Sequence, residues 1–263
     1  MPGAGHCHRP QISVLDMKVS IITCCWNSEP YIAECVQSVR MQTYADIEQI
    51  FVDGGSTDGT LERIKALDGQ GGQVRWVTDV RGGISNAMNV GAGLATGEVI
   101  VHLHADDYFA APDVVERVAA VFSEPGVEWT FGRIDDEVES RRVPQTWTMP
   151  PYSYSKLLSR NFIAHPSVFQ RRSLFLSSGG FDTSLKYAMD YDLWLRLARL
   201  TPPRYLSLVV AVFRRHAGST STANVGAAVA EDFMVRCRYV VGSLPRLWHG
   251  LVYRWRRWRM GLA

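Results

Sequence analysis

Residues 18–26, KVSIITCCW, form a nearly unbroken apolar run rich in β-branched side chains. A strand without a polar face must be covered on both sides, as a central strand of a parallel sheet is. Runs of the same kind return at IEQIFVD (47–53), QVRWVT (73–78), GEVIVHLHA (97–105) and VEWTFG (127–132). The intervals carry helical signals. In EPYIAECVQSVRMQ (29–42), Pro30 stands near the start, and Ile32, Cys35, Val36 and Val39 share one helical face. GGSTDGTLERIKAL (54–67) is a glycine-rich turn opening into a helix. ISNAMNVGAGLA (84–95) and PDVVERVAAVFSE (112–124) read as two more helices, the second with Pro112 at its start. This alternation predicts an α/β chain with a Rossmann-like, mostly parallel sheet and helices on both faces. After residue 132 the alternation breaks. Residues 133–150 read as irregular strands and loops, 162–175 as strand then helix, 179–200 as a turn leading to a helix from about Asp190, and 203–216 as one further strand.

In such sheets ligands bind beyond the carboxyl ends of the strands. Two acidic clusters fall there: Asp53 in VDGGSTDGT, and Asp106 with Asp107 in VHLHADDYFA. Adjacent carboxylates repel each other and resist desolvation. Such a pair at a buried strand end asks for a cation or a proton, unless both acids only cap the turn that follows. Asp58 suits the role of helix cap better than that of ligand. No G-x-G-x-x-G follows the first strand, which argues against a dinucleotide oxidoreductase.

Charge separates the chain into two parts. Residues 231–263 hold seven arginines, no lysine and two acids, a surplus of five, so the rest of a chain of net charge +2 carries −3. In SLPRLWHGLVYRWRRWRM (243–260), Trp248, Trp255 and Trp258 are interleaved with arginines, a pattern suited to a basic amphipathic helix at a membrane–water interface. Anionic lipid and nucleic acid are the partners such a mixture suggests. The alternative is a helix packed on the body through its tryptophans, with the arginines outward. Three segments are expected: a disordered leader at 1–16, a main domain at 17–222 and a basic helical tail at 223–263. The start lacks the apolar stretch of a signal peptide, and no run reaches the roughly 18 residues of a membrane span. The five cysteines form no C-x-x-C pair, and Cys24 and Cys25 lie in an apolar strand. This predicts a reducing compartment, the cytoplasm, with peripheral contact to the inner face of the cell membrane.

Four motifs in order, VSIITCCWN, VDGGSTDGT, HADD and GGFDTSLKYAMDYDLWLRL, resemble those of the family 2 glycosyltransferases with the GT-A fold. The resemblance spans roughly residues 18–220 and is nearest in flavour to the bacterial polysaccharide and glycolipid subgroup. It implies an inverting, metal-dependent transfer of a sugar from a nucleotide-diphosphate donor to a glycan or a polyprenyl- or lipid-linked acceptor, and with such acceptors it ranks lipid first as the tail's partner, with no nucleic acid expected. A binding protein of the same fold without the chemistry is the alternative. By the resemblance, Asp107 is a ligand of Mg²⁺ or Mn²⁺ and His216 a late metal or phosphate contact. Trp26, Asp53, Asp79 and Asp106 fall on the donor. Asp190 is the candidate general base, with Asp192 competing for the role. His165 falls either near the acceptor or in a structural hydrogen bond. Arg214 and Arg215 are either phosphate contacts or a solvated pair. The chain departs from the family at Gly54, Arg81 and Asn86, where relatives commonly have Asp, and at Met189, where they have Glu.

Overall fold

The computed structural model describes residues 17–67, 73–146, 149–216 and 224–261; the expected leader lies outside them. Strand β1 (Val19–Cys25) is buried along its whole length. It lies between β2 (Ile47–Asp53) and β4 (Val99–His102), parallel to both, and β3 (Gln73–Val77) extends the parallel set beyond β2. The register places Cys25 opposite Asp53. Beyond β4 the chain stays alongside β1, with Leu103 N–H donating to Ile22 and Ala105 N–H to Cys24. This extension brings Asp106 and Asp107 to the sheet edge that carries Asp53.

Helices α1 (Ile32–Arg40), α2 (Thr60–Lys65), α3 (Gly83–Leu94) and α4 (Val114–Phe122) connect or follow these strands. Each buries one stripe, as on α4, where Val114, Val115, Val118, Ala119 and Phe122 face inward. Helix α3 approaches the sheet closely at Gly91, where a Cβ would stand 2.4 Å from Ile22 Cγ2.

The second half brings antiparallel pairing. Strand β5 (Tyr108–Phe109) pairs with β9 (Arg204–Arg214), β8 (Phe169–Arg171) with β4, and β6 (Trp129–Val138) with both β8 and β7 (Arg141–Pro144). Only β6 with β9 is parallel there. The strand expected at 127–132 therefore runs on to Val138 and turns back in a hairpin, where irregular structure was expected. Its outer residues are charged, and their acids pair with arginines of β7 and β9 instead of forming an apolar face.

Helices α5 (Tyr154–Ser159), α6 (Arg172–Ser177), α7 (Met189–Leu200), α8 (Val225–Tyr239) and α9 (Ser243–Arg259) complete the described chain. Helix α7 buries Tyr191, Leu193, Trp194, Leu195 and Leu197, and Trp194 stacks on Trp129 of β6 with centroids 5.8 Å apart. Helix α9 presents Leu244, Leu247, Trp248, Leu251, Trp255 and Trp258 to solvent. At 3.6 residues per turn these six fall within an arc of about 100°. No described helix is long and apolar enough to cross a membrane.

Candidate active site

The crevice at the carboxyl edge is framed by two loops that are stitched together. Asn27, in the left-handed region at φ 49°, accepts from Thr57 N–H through its side chain (2.8 Å) and donates its own N–H to Ser56 Oγ (2.9 Å). Ser28 N–H donates to Thr60 Oγ1 at 2.8 Å. Asp58 accepts from the N–H groups of Glu29 and Thr60 and so ties the two loops together, while the N-cap position of α2 falls on Gly59 and not on Asp58 as expected. Asp53 is 1 % exposed. It accepts from Gly55 N–H, Ser56 N–H, the Ser56 hydroxyl and Thr78 Oγ1, and so shapes the glycine-rich turn from below. Gly55 has φ +87°, and a Cβ there would meet the Arg81 guanidinium at 2.5 Å. Arg81 pairs with exposed Asp79 across this turn (2.5 Å). Trp26 stands over Gly54 with two thirds of its surface open.

Asp107 is buried, and its Oδ1 accepts from the backbone N–H of Arg214 at 3.2 Å. Burial and the adjacent charge of Asp106 push its carboxyl well above the ordinary range, and Arg214 offsets only part of this. Asp106 is partly exposed and lies 3.0 Å from His216 Nε2, and the His216 ring leans on Tyr31 with centroids 4.6 Å apart. His216 therefore meets the acid pair through Asp106. The Arg214 side chain is nearly buried. It pairs with Glu137 (2.7 Å) and with Glu34, and it lies over the rings of Tyr31 and Tyr108. Arg215 pairs with Asp136 at 3.1 Å. The expectation of a phosphate-binding or solvated pair is thus corrected for Arg214, which is buried between Glu137 and Glu34, whereas Arg215 pairs with Asp136 and stays half exposed, as a solvated arginine does.

Among the described residues no group of three or more His, Cys, Asp and Glu is arranged to hold a metal. Two carboxylates beside an imidazole still fit Mg²⁺ or Mn²⁺, which are held by one or two carboxylates together with substrate phosphates and water. Burial and Asp106 disfavour the charged form of Asp107, and such an ion would favour it.

Behind the acid pair lie three imidazoles. His104 stacks on His165 at 4.9 Å, and His102 lies 5.9 Å from His165. Burial lowers the pKa of all three, that of His102 to about 3, so they are neutral. His165 also touches Phe181 and Trp194, the surroundings of a packed ring.

The second acidic group sits at the start of α7. Asp190 receives the N–H of Tyr191 (2.6 Å) and the Asn161 side chain, whose Oδ1 is turned to Ile163 N–H. Burial, then the charge of Asp232, raise the Asp190 carboxyl to about 7. Asp192 is different. It is buried and bonded by Arg196 (2.9 Å), Arg238 (3.2 Å) and the Tyr239 hydroxyl (2.7 Å). Two further ties fix this end of α7. Glu231 of α8 accepts from the N–H groups of Lys186, Tyr187 and Ala188. From α3, Asn89 exchanges two hydrogen bonds of 2.8 Å with the backbone of Phe181. Helix α8, which charge alone assigns to a tail, is therefore built into the body through Glu231, Arg238 and Tyr239.

The model of the family described as "Glycosyl transferase family 2" matches residues 20–175. The chain belongs to glycosyl transferase family 2. Among similar family members is a PGL/p-HBAD biosynthesis glycosyltransferase of Mycobacterium tuberculosis, 31 % identical over 242 residues, which are 90 % of each chain. A chondroitin synthase of Pasteurella multocida is 30 % identical over 220 residues, 82 % of this chain but 22 % of that protein. The chain thus spans about a fifth of that synthase's length. Two solved structures share the fold, which is GT-A. Residues 1–349 of TarS from S. aureus with UDP-GlcNAc give a TM-score of 0.68 at 22 % identity, covering 83 % of this chain and 66 % of that one. The mannosyltransferase PcManGT from Pyrobaculum calidifontis with GDP-Man and Mn²⁺ gives 0.67 at 21 %, covering 90 % and 70 %.

Proposed function

We propose that this family 2 member is an inverting, metal-dependent glycosyltransferase that moves a sugar from a nucleotide-diphosphate donor to a glycan or lipid-linked acceptor. The observation that carries the reading is the adjacent pair Asp106–Asp107 at the carboxyl edge of the parallel strands, with Asp107 buried and His216 3.0 Å from Asp106. Asp107, with Asp106 and His216 beside it, would hold Mg²⁺ or Mn²⁺. When bound, that ion offsets the charge that the leaving nucleoside diphosphate gains. TarS with UDP-GlcNAc and PcManGT with GDP-Man and Mn²⁺ support a nucleotide sugar as the ligand class.

The chain's own residues do the rest. The turn shaped by Asp53, with Asp79 and Arg81 at its rim, receives the nucleoside, and Trp26 offers an open aromatic face to it. Asp190 is the general base. A carboxyl with a pKa near 7 is matched to accepting a proton near neutral pH. It takes the proton of the acceptor hydroxyl as that oxygen bonds to the anomeric carbon and the bond to the diphosphate breaks on the opposite face. Asp192, held by two arginines and a tyrosine, positions the helix instead.

Helix α9 seats its apolar stripe in an anionic membrane, with exposed Arg254 and Arg259 flanking the stripe, one on each side. This puts the enzyme at the inner face of the cell membrane. Hydrolysis of nucleotide sugars, followed with Mn²⁺ and with EDTA, tests the reading. Turnover that needs the ion supports it, and equal donor affinity in both conditions overturns it.

A further inference from the structure

Beside Asp190 and apart from the donor crevice lies a pocket of about 590 Å³ between the end of α5, α8 and α9. Arg160, Arg236, Arg256 and Arg259 line it, against one carboxylate, Asp232. Arg236 is the deepest, its side chain 3 % exposed. Its nearest acid oxygen is 4.0 Å away, and its buried Nε–H has no partner. A buried donor left in that state is destabilising until an acceptor arrives. Arg256 is held below its usual range by burial and then by the charges of Arg236 and Arg160, which lie close to it. Forked donors converging on one space suit an anion with several oxygens. A phosphate or diphosphate, with oxygens to spare for the unpartnered Nε–H of Arg236 and for Arg256 beside it, matches such a lining better than a single carboxylate.

The pocket adjoins both the base and the apolar stripe. Asn161 lines it and donates to Asp190, and Asp232 lines it and raises the Asp190 pKa. Trp255 belongs both to the pocket wall and to the exposed face of α9. Resting on the glycosyltransferase reading, we infer that this pocket holds a phosphate or diphosphate group of the acceptor, whose apolar chain leaves past Trp255 toward the membrane, with the acceptor hydroxyl presented to Asp190. The donor's diphosphate belongs to the other site, beside Asp107.

Calorimetric titration of the full chain with inorganic pyrophosphate in EDTA tests this, because EDTA removes metal-assisted binding at the donor crevice. Arg256→Gln and Arg160→Gln should each weaken pyrophosphate about ten- to a hundredfold, the range of a charge-assisted hydrogen bond. Both lie nearer the pocket mouth than Arg236, so the result does not depend on Arg236→Gln folding. Asp107→Ala should leave the affinity unchanged. Unchanged binding in both arginine variants, or loss in Asp107→Ala, overturns the assignment. Phosphatidylglycerol vesicles separate the two sources of phosphate. If they displace pyrophosphate and their own binding falls equally in Arg256→Gln, the pocket takes bulk headgroups and the acceptor role is overturned. Donor hydrolysis in Mn²⁺, measured on the same unmodified protein, keeps the two readings apart. If hydrolysis is absent while pyrophosphate binding depends on Arg256, the acceptor role falls and the anion pocket stands. If hydrolysis is present while that dependence is missing, the pocket falls and the transferase stands.

Discussion

Replacing Asp190 by Asn should abolish transfer and at the same time stabilise the protein at alkaline pH. The carboxyl is raised from 3.8 to about 7 in the folded state. Between those two values the folded chain holds a proton that the unfolded chain has released. Stability therefore falls as pH rises from about 4 to 7, and an amide, which never ionises, escapes that loss. Three units correspond to a ceiling of about 4 kcal/mol. Because Asp190 is partly open to solvent, about 1–2 kcal/mol is the expected gain over the unmodified chain at pH 8, vanishing near pH 4. Asp192→Asn is the contrasting case. It leaves Arg196 and Arg238 without their shared buried carboxylate, and removing one partner of a buried ion pair should cost about 2–4 kcal/mol. Urea denaturation of the three proteins at pH 4.5 and 8, with donor affinity and sugar transfer measured separately, checks the set. Asp190→Asn should lose about 10²–10⁴-fold in transfer with donor affinity kept. A stability difference that does not grow with pH would refute the argument about the environment of Asp190. Transfer retained within tenfold would refute its role as the base.

The pH profile of kcat/KM should show an acidic limb near 7, and Asp232→Asn should move that limb lower by removing the second cause of the Asp190 shift. Asn89→Ala removes both hydrogen bonds to Phe181; it should cost about 1–3 kcal/mol in thermal unfolding and slow transfer more than it weakens donor binding. Leu247→Ser with Trp258→Ser, both on the exposed stripe, should reduce sedimentation with anionic vesicles and leave the melting temperature within a degree or two. Gly91→Ala forces a methyl to 2.4 Å from Ile22 and should destabilise by about 1–3 kcal/mol by the same assay.

The parts that were legible in the sequence were those written locally. KVSIITCCW and GEVIVHLHA announce buried strands, and acids at strand ends announce a crevice. Spacing on α9 shows its stripe, and Asp190 stands at a recognisable helix start. What stayed hidden depends on partners far along the chain. Glu231 and Arg238 read as members of a charged tail, because nothing near them reveals backbone N–H groups 43–45 positions away or the acids Asp182 and Asp192. Arg214 reads as half of a surface pair with Arg215, because Glu34, 180 positions earlier, cannot be seen from FRRH. Arg236 sits among acids, arginine and aromatics that mark no burial, and its place beside Arg160 and Arg256 exists only once three helices converge. The hairpin of β6 and β7 escaped notice because paired charges replace the alternation that marks a half-buried strand.

Strand β9 gives the centre a place in time. The N–H that supports Asp107 comes from Arg214, 107 positions further on, and β5, next to the acid pair, finds its partner only in β9. A chain made from its amino end can assemble β1 to β4 and both nucleoside loops while the acid pair still lacks its neighbour. On the metal-dependent reading proposed above, ion binding would be among the last properties a nascent molecule gains, after the pairing of distant strands that is slowest to form. A fragment ending before residue 204 should keep the parallel strands and fail to hold the ion. On the same reading, an incomplete translation product would not turn over a nucleotide sugar.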